Sequence, residues 1–402
     1  MAGVVPADAR AGARAVIIPV VRPQSRPYDP SIIEPPAHQP VTNHPKPDRA
    51  RVEHWNRILE PYRGPDTRRS VVQLVTTTAA FGLCWYAALR SLEVGYWLTV
   101  LLALPTAGFL MRLFMIQHDC GHGSFFHSRR ARDWVGRAIG VLLLTPYDYW
   151  KRTHAHHHAH SGDLDFRGFG DVDTRTVAEY LSWPAGRRFL YRLYRHPFVL
   201  FVIGPIYQFL IKHRYPSDIP RSWKVAWRSV WWTNAALVGI GVLMWATIGL
   251  ERFAMVHGPV TLFATSAGIW MFYVQHQFES TYWDRHEEWD YYDASLYGSS
   301  YLVLPKPLQW LTASIGVHHV HHMSPRIPNY RLQQVHDENP EFHVVTQVRP
   351  GDTFDLVRRA LWDEEERRLV SFRELKRRRK RARAEARAEA RAERRASRER
   401  AA

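Results

Sequence analysis

The sequence predicts an all-α integral membrane protein: four transmembrane helices in two hairpins, with a cytoplasmic helical cap carrying a multi-histidine dimetal site. Three observations lead there. Four stretches of 17 to 22 residues, 71–89, 94–111, 229–250 and 259–275, contain no Asp, Glu, Lys or Arg, a length that reaches or approaches what about 30 Å of hydrocarbon requires. Lys and Arg are crowded between the second and third stretches, and eleven of the 22 histidines fall in three short runs. The mean hydropathy of -0.33 hides this pattern, because it averages a Pro-rich start and an Arg-rich end with an apolar middle.

Residues 1–68 hold 12 of the 26 prolines and little periodicity, which predicts an extended, largely disordered cytoplasmic leader. The membrane domain follows over 69–372, with spans expected at 71–89, 94–116, 229–250 and 259–277. Trp85, Trp97, Trp231, Trp232 and Trp270 fall near their ends, where an indole favours the headgroup layer. Buried core helices of a soluble enzyme are the competing explanation, but those normally carry a charged face. Short links, 90–93 and 251–258, make each pair a hairpin, and each link carries one arginine, against 17 Lys and Arg in 117–228. The positive-inside rule then sets the long segment and both termini on the cytoplasmic side of the inner (cytoplasmic) membrane. Segments 134–146, interrupted by Arg137, and 198–211, with Pro205 inside it, are too short or too polar to cross and read as interfacial.

The final segment, 373–402, carries 14 Lys and Arg against five Glu, nine of the sixteen net positive charges. Its Ala-Arg-Ala-Glu repeat favours a basic helix. Anionic lipid is a cheaper partner than nucleic acid for a chain already at a membrane, and a solvated tail without a partner explains the same residues. Two cysteines exclude a disulfide framework, a four-thiolate cluster and a Cys-based structural zinc site.

The histidines carry the chemistry. His118 and His122 stand at i, i+4; His154, His157 and His158 stand at i, i+3, i+4, and so do His318, His321 and His322. Each set can present its imidazoles on one side of a helix. One such pair occurs on many solvated helices, but three sets on the same side of the membrane imply a metal centre. Eight imidazoles exceed one metal's needs, so two metals are expected, and imidazole alone does not choose among zinc, copper, iron and nickel. No Glu-x-x-His occurs, which excludes the carboxylate-rich four-helix di-iron pattern.

Beyond the histidines, the text HDCGHGSFF (118–126), YRLYRHPF (191–198), GPIYQFLI (204–211), FYVQHQFE (272–279), GSSYLVLPKPLQWLTASIGVHHVHHMSPRIPNYRL (298–332) and LWDEEERRLVSFRELK (361–376) resembles the membrane acyl-lipid fatty acid desaturases, most closely the phospholipid desaturases of bacilli. The resemblance covers roughly 69–376. It implies a centre of two Fe ions ligated by His118, His122, His154, His157, His158, His318, His321 and His322. His276, at the end of the last span, matches a further ligand outside the boxes. His156, His160 and His319 depart from the required pattern and are expected outside the ligand set. Asp119, Asp148, Asp163, Asp165 and Glu279 lie near enough in sequence to orient ligating rings, though an ordinary surface role is expected for any one of them.

The implied reaction is O2-dependent insertion of a cis double bond into acyl chains of membrane lipids, drawn along an apolar channel to the metals, with no catalytic side chain beyond the metal centre. Electrons would come from a ferredoxin or a similar reductase system, since the chain has no dinucleotide-binding glycine fingerprint after a strand. Arg187, Arg188, Arg192 and Arg195 form a candidate docking face. Three other readings fit the histidines: a membrane diiron hydroxylase, a carotenoid-modifying oxygenase, and a non-enzymatic metal-binding membrane protein.

Overall fold

Four long helices carry the apolar stretches, and the cap is assembled from shorter elements between and after them. The computed structural model describes residues 49–168 and 170–401, so the expected leader lies mostly outside the described residues. Its last part is helical: α1 (Arg49–Leu59) buries Trp55 and Leu59. The first long pair follows as α2 (Thr67–Ser91) and α3 (Tyr96–His122). Between them and the next long pair lie α4 (Arg129–Leu142), α5 (Tyr147–His160), α6 (Val177–Ser182), α7 (Ala185–Tyr194), a π-helical turn (Val199–Ile203) and α8 (Gly204–Leu210). The second long pair is α9 (Lys224–Thr247) and α10 (Leu250–His276). The cap continues with α11 (Tyr291–Tyr297), α12 (Lys306–Leu311), α13 (His318–Met323), α14 (Asn329–Glu338) and α15 (Thr353–Leu356), and the chain ends in α16 (Phe372–Ala401).

Among the described residues three helices, α2, α3 and α9, are long and apolar enough to cross a membrane. Of their most apolar windows, 22%, 56% and 11% is buried, respectively, so α3 is the central helix while α2 and α9 turn most of their surface outward. Val75, Leu83, Trp232, Val238 and Trp245 are exposed on those two helices, as expected where lipid is the solvent. α10 is as long as α3 but opens with Glu251 and Arg252. The expected link 251–258 is therefore helical, and the real connection is Ile248–Gly249, with Gly249 at φ +84°. The charged pair and Pro259 read as a boundary in the sequence. Burial of Val256, Val260 and Ala264 outweighs the one backbone hydrogen bond that Pro259 cannot donate.

The expected interfacial segments are also regular: 134–142 belongs to α4, and 198–211 contains the π-helical turn and α8. The all-α expectation needs one correction. A three-stranded sheet joins β1 (Arg175–Thr176), β4 (Arg359–Asp363) and β5 (Arg368–Ser371) in the order β1-β4-β5, and β2 (Tyr301–Leu302) pairs in parallel with β3 (Gln347–Val348). Strands of two to five residues leave no alternation long enough to read.

Arg195 pins the cap to the end of α10. Its buried guanidinium donates to the Tyr273 hydroxyl at 3.1 Å, the Gln277 side-chain oxygen at 2.9 Å and the Arg359 carbonyl at 2.7 Å. It therefore cannot present its charge to a partner, which removes it from the expected docking face.

Candidate metal centre

Helix ends deliver the histidines. α3 runs past the apolar stretch and stops directly after His122, where Gly123 takes a left-handed φ of 83° and its N–H caps the carbonyls of Asp119 and Cys120. α10 ends on His276. α13 is only six residues long and is approached by Ala313 and Ser314, both at left-handed φ (51° and 57°). That unfavourable backbone is held by its surroundings: Gln275 Nε2 donates to the Ile315 carbonyl at 2.9 Å and the Leu302 N–H to the Gly316 carbonyl at 2.8 Å. Tyr291 also donates to the His322 carbonyl at 2.7 Å.

The nine histidines expected as ligands come together in two groups. His118, His122, His154, His158 and His321 form one, and His157, His276, His318 and His322 the other; within each, one nitrogen per ring lies within 4.8 Å of all the others. α5 and α13 contribute to both groups. The rings of His158 and His322, one from each group, stack with centroids 4.2 Å apart. His156, His160 and His319 belong to neither group; His319 instead meets His336, Nε2 to Nδ1, at 3.1 Å.

Proton bookkeeping in the four-histidine group shows what fits there. His276 Nδ1 lies 2.9 Å from the Gly298 carbonyl, which can only accept, so Nδ1 carries the proton and Nε2 is a bare lone pair. His157 Nδ1 contacts the Asp171 carboxylate, which fixes the same tautomer. Their Nε2 atoms close a chain: His276 to His318 at 2.9 Å, His318 to His322 at 3.1 Å, and His322 to His157 at 3.3 Å. Three hydrogen bonds would need three protons, whereas only the two middle rings can carry one each. No arrangement of neutral imidazoles satisfies all three contacts, and a central cation does.

In the five-histidine group His158 Nε2 lies 3.2 Å from His154 Nε2 and 3.0 Å from His321 Nε2. His122 Nε2 is buried without a hydrogen-bond partner. Burial, reinforced by neighbouring imidazoles, drives the pKa of His154, His158, His318, His321 and His322 well below the usual histidine value. The rings are therefore neutral at pH 7, the state in which a ring nitrogen can coordinate. An all-nitrogen donor set of this kind suits zinc, copper, iron or nickel.

Among the five carboxylates singled out from sequence, only Asp119 touches a ring of either group. Its Oδ1 lies 3.4 Å from His118 Nδ1, and its Oδ2 accepts from the Asn329 N–H and side-chain amide, both at 2.8 Å. Asp148 pairs with Arg137, Asp163 with His286, Asp165 with Arg285, and Glu279 with Arg359 and Arg368. Asp171 was missed, since it lies in a loop 14 residues beyond His157 with no periodicity to announce it. Gly170 sets its position. At φ +82°, an added Cβ there would lie 3.1 Å from the Thr153 carbonyl.

A cavity of about 230 Å³ abuts the histidines; Phe114, Met115, Trp150 and Phe272 line it together with His118, His154 and His318. A second, about 720 Å³ and strongly apolar, lies between α2, α8, α9 and α10. Phe209 and Thr265 line both and so stand between them.

Comparison with known proteins identifies the family. Residues 95–347 match the family model described as fatty acid desaturase. The chain is 42% identical over 312 residues to a fatty acid desaturase of Bacillus subtilis, covering 78% of this chain and 88% of that one. It is 27% identical over 286 residues to an sn-1 oleoyl-lipid 12-desaturase of Anabaena variabilis, covering 66% and 75% of the two chains. An sn-1 acyl-lipid omega-3 desaturase (ferredoxin) of Synechocystis is 27% identical over 232 residues, 55% of this chain and 62% of that one.

Proposed function

Because the chain belongs to the fatty acid desaturase family, and is therefore an oxidoreductase, we propose that it inserts a cis double bond into acyl chains of membrane lipids at a centre of two irons. The observation that carries this reading is the division of nine histidines into two all-nitrogen groups beside one apolar cavity. His118, His122, His154, His158 and His321 would hold one iron, and His157, His276, His318 and His322 the other. Two bound irons would supply the dioxygen chemistry that removes hydrogen from unactivated methylenes. The balance is two hydrogens from the chain, two electrons and two protons from outside, and one O2 reduced to two waters.

This chain's own residues bind, orient and exclude. Asp171 and the Gly298 carbonyl keep the protons of His157 and His276 on Nδ1, leaving each Nε2 free to ligate. Trp150 stacks on His154 with centroids 4.6 Å apart and interplanar angle 18°, which holds that ring in place. Phe114, Met115 and Phe272 give the acyl chain an apolar bed and keep water from the reacting methylenes. Phe209 and Thr265 would control passage of the chain between the two cavities and so set how much of it lies beyond the irons.

The arrangement in the membrane is part of the proposal: α2, α3, α9 and α10 cross as two hairpins, with the centre and both termini on the cytoplasmic side of the inner membrane. The clustering of Lys and Arg in 117–228 supports it. A ferredoxin is the electron donor we favour, since one relative carries that donor in its name. Of the four arginines expected there, Arg187 and Arg188 remain for its docking, since Arg195 is buried and Arg192 Nε is held by the Tyr180 hydroxyl at 2.6 Å.

Expressing the chain in a bacterium whose lipids are only saturated and monounsaturated tests the reaction. Mass spectrometry should find acyl chains that have lost two hydrogens at a defined position. A gain of one oxygen would instead identify a hydroxylase, and unchanged lipids from iron-loaded protein would remove the enzymatic reading.

A further inference from the structure

α16 extends past the segment that resembles the family, and its basic residues are sorted by side. Lys376, Arg379, Lys380, Arg383 and Arg387 follow i, i+3, i+4, i+7, i+11 spacing and so share one face. They line a groove of about 530 Å³ together with Arg192 of α7, and none of its lining residues is acidic. Among the described residues those five on α16 form no ion pair. Arg378, two positions from Lys376 and therefore on the opposite side, is paired with Asp363, Glu366 and Glu374. The carboxylates have been gathered on one side of the helix, leaving six cations facing the groove. Its floor is aromatic: Tyr180 and Phe372 line it, and Arg192 Nε donates to the Tyr180 hydroxyl at 2.6 Å, which fixes that guanidinium.

The surroundings say what covers it. α7 leaves Phe189, Leu190 and Leu193 exposed on one face, at 65%, 63% and 49%. At about 100° per residue, Arg187 flanks that face on one side, and Arg192 and Arg188 flank it on the other. Exposed apolar residues continue through Phe198 and Ile203 to Ile206 and Leu210. Those last two line the large apolar cavity with Leu237, Ile240 and Leu243 of α9, one of the candidate spans. The apolar edge of α7 thus runs into the membrane-embedded part of the fold, and the groove opens from the basic flank of that edge. An apolar face bordered by arginines is the pattern of a helix lying in the headgroup layer. An acidic protein would complement the six cations equally well, but it would leave the adjoining apolar edge uncovered.

We propose that the groove between α7 and α16 binds the phosphate headgroup of an anionic glycerophospholipid, docking α16 on the membrane surface beside the membrane domain. Native mass spectrometry of the purified full-length chain, released from micelles containing equal phosphatidylglycerol and phosphatidylcholine, tests this without reference to turnover. The chain should retain phosphatidylglycerol with a preference of about tenfold. Replacing Lys376, Arg379, Lys380 and Arg383 by Gln should abolish that preference. Replacing Arg394, Arg395, Arg398 and Arg400 by Gln removes the same charge beyond the groove and should leave it intact. Equal loss in both quadruple variants would reduce the effect to net charge and overturn the site. Retention of the preference in the first variant, accompanied by weakened binding of an acidic ferredoxin, would overturn it in favour of a protein partner.

Discussion

His157 and His158 are adjacent in the chain, yet their rings face different groups: Nε2 of His157 meets His322 at 3.3 Å and Nε2 of His158 meets His321 at 3.0 Å. A helix rotates about 100° per residue, so neighbours on α5 can face two groups while His154 and His158, one turn apart, share one. The tautomers matter as much as the positions. Asp171 holds the His157 proton on Nδ1, so Asp171→Asn should lower affinity at the four-histidine group roughly 10- to 100-fold, read by metal titration of the folded apo-chain. Gly170→Ala, which presses a Cβ toward the Thr153 carbonyl, should displace Asp171 and act in the same direction. All nine clustered histidines were legible, because helical spacing marks eight and a sequence resemblance marks His276. Asp171 was not, because loop geometry leaves no periodic trace.

At the level of elements, α5 and α13 hold the two groups together, since each sends histidines to both. Their packing depends on the cap, and Arg195 joins that cap to α10 through three buried hydrogen bonds. Arg195→Met would leave the Gln277 oxygen only the Thr174 hydroxyl at 3.4 Å and the Arg359 carbonyl only the Tyr273 hydroxyl at 3.1 Å, and should cost about 1–3 kcal/mol, seen as a lower melting temperature in detergent. α8 has a different task, because Phe209 stands between the cavity at the histidines and the larger one among the long helices. Phe209→Ala should raise the share of longer acyl chains among the products and Phe209→Trp should lower it, by gas chromatography of total lipids. Matching profiles in both active variants would show that Phe209 does not limit the path. The long helices were legible because apolar runs of this length have few alternatives. Their ends were not: Glu251, Arg252 and Pro259 carry the signs of a boundary, but tertiary burial continues α10 through them. The two- to five-residue strands were also illegible, because their partners lie far away in sequence.

For the whole molecule, the proposal requires α2, α3, α9 and α10 to return the chain to the same side after each pair. Single cysteines at Glu93→Cys and Arg252→Cys, in a chain lacking Cys84 and Cys120, should react with an impermeant maleimide from outside the cell. Ser397→Cys should react only after permeabilisation; labelling of all three from one side would break the hairpin arrangement. The charge asymmetry behind the proposed orientation is legible in the sequence, and so is the placing of Arg383, Arg387 and Arg391 nearly opposite Glu385, Glu389 and Glu393 on one helix; the groove that this basic face forms with Arg192 emerged only with the structure, because α7 lies far away in the chain. The most direct measurement is elemental analysis with Mössbauer spectroscopy on the purified chain. Two irons per chain, both in nitrogen-rich surroundings, are predicted. A single zinc, or iron bound equally well after His157, His276, His318 and His322 are all replaced by alanine, would contradict a centre built from these two groups.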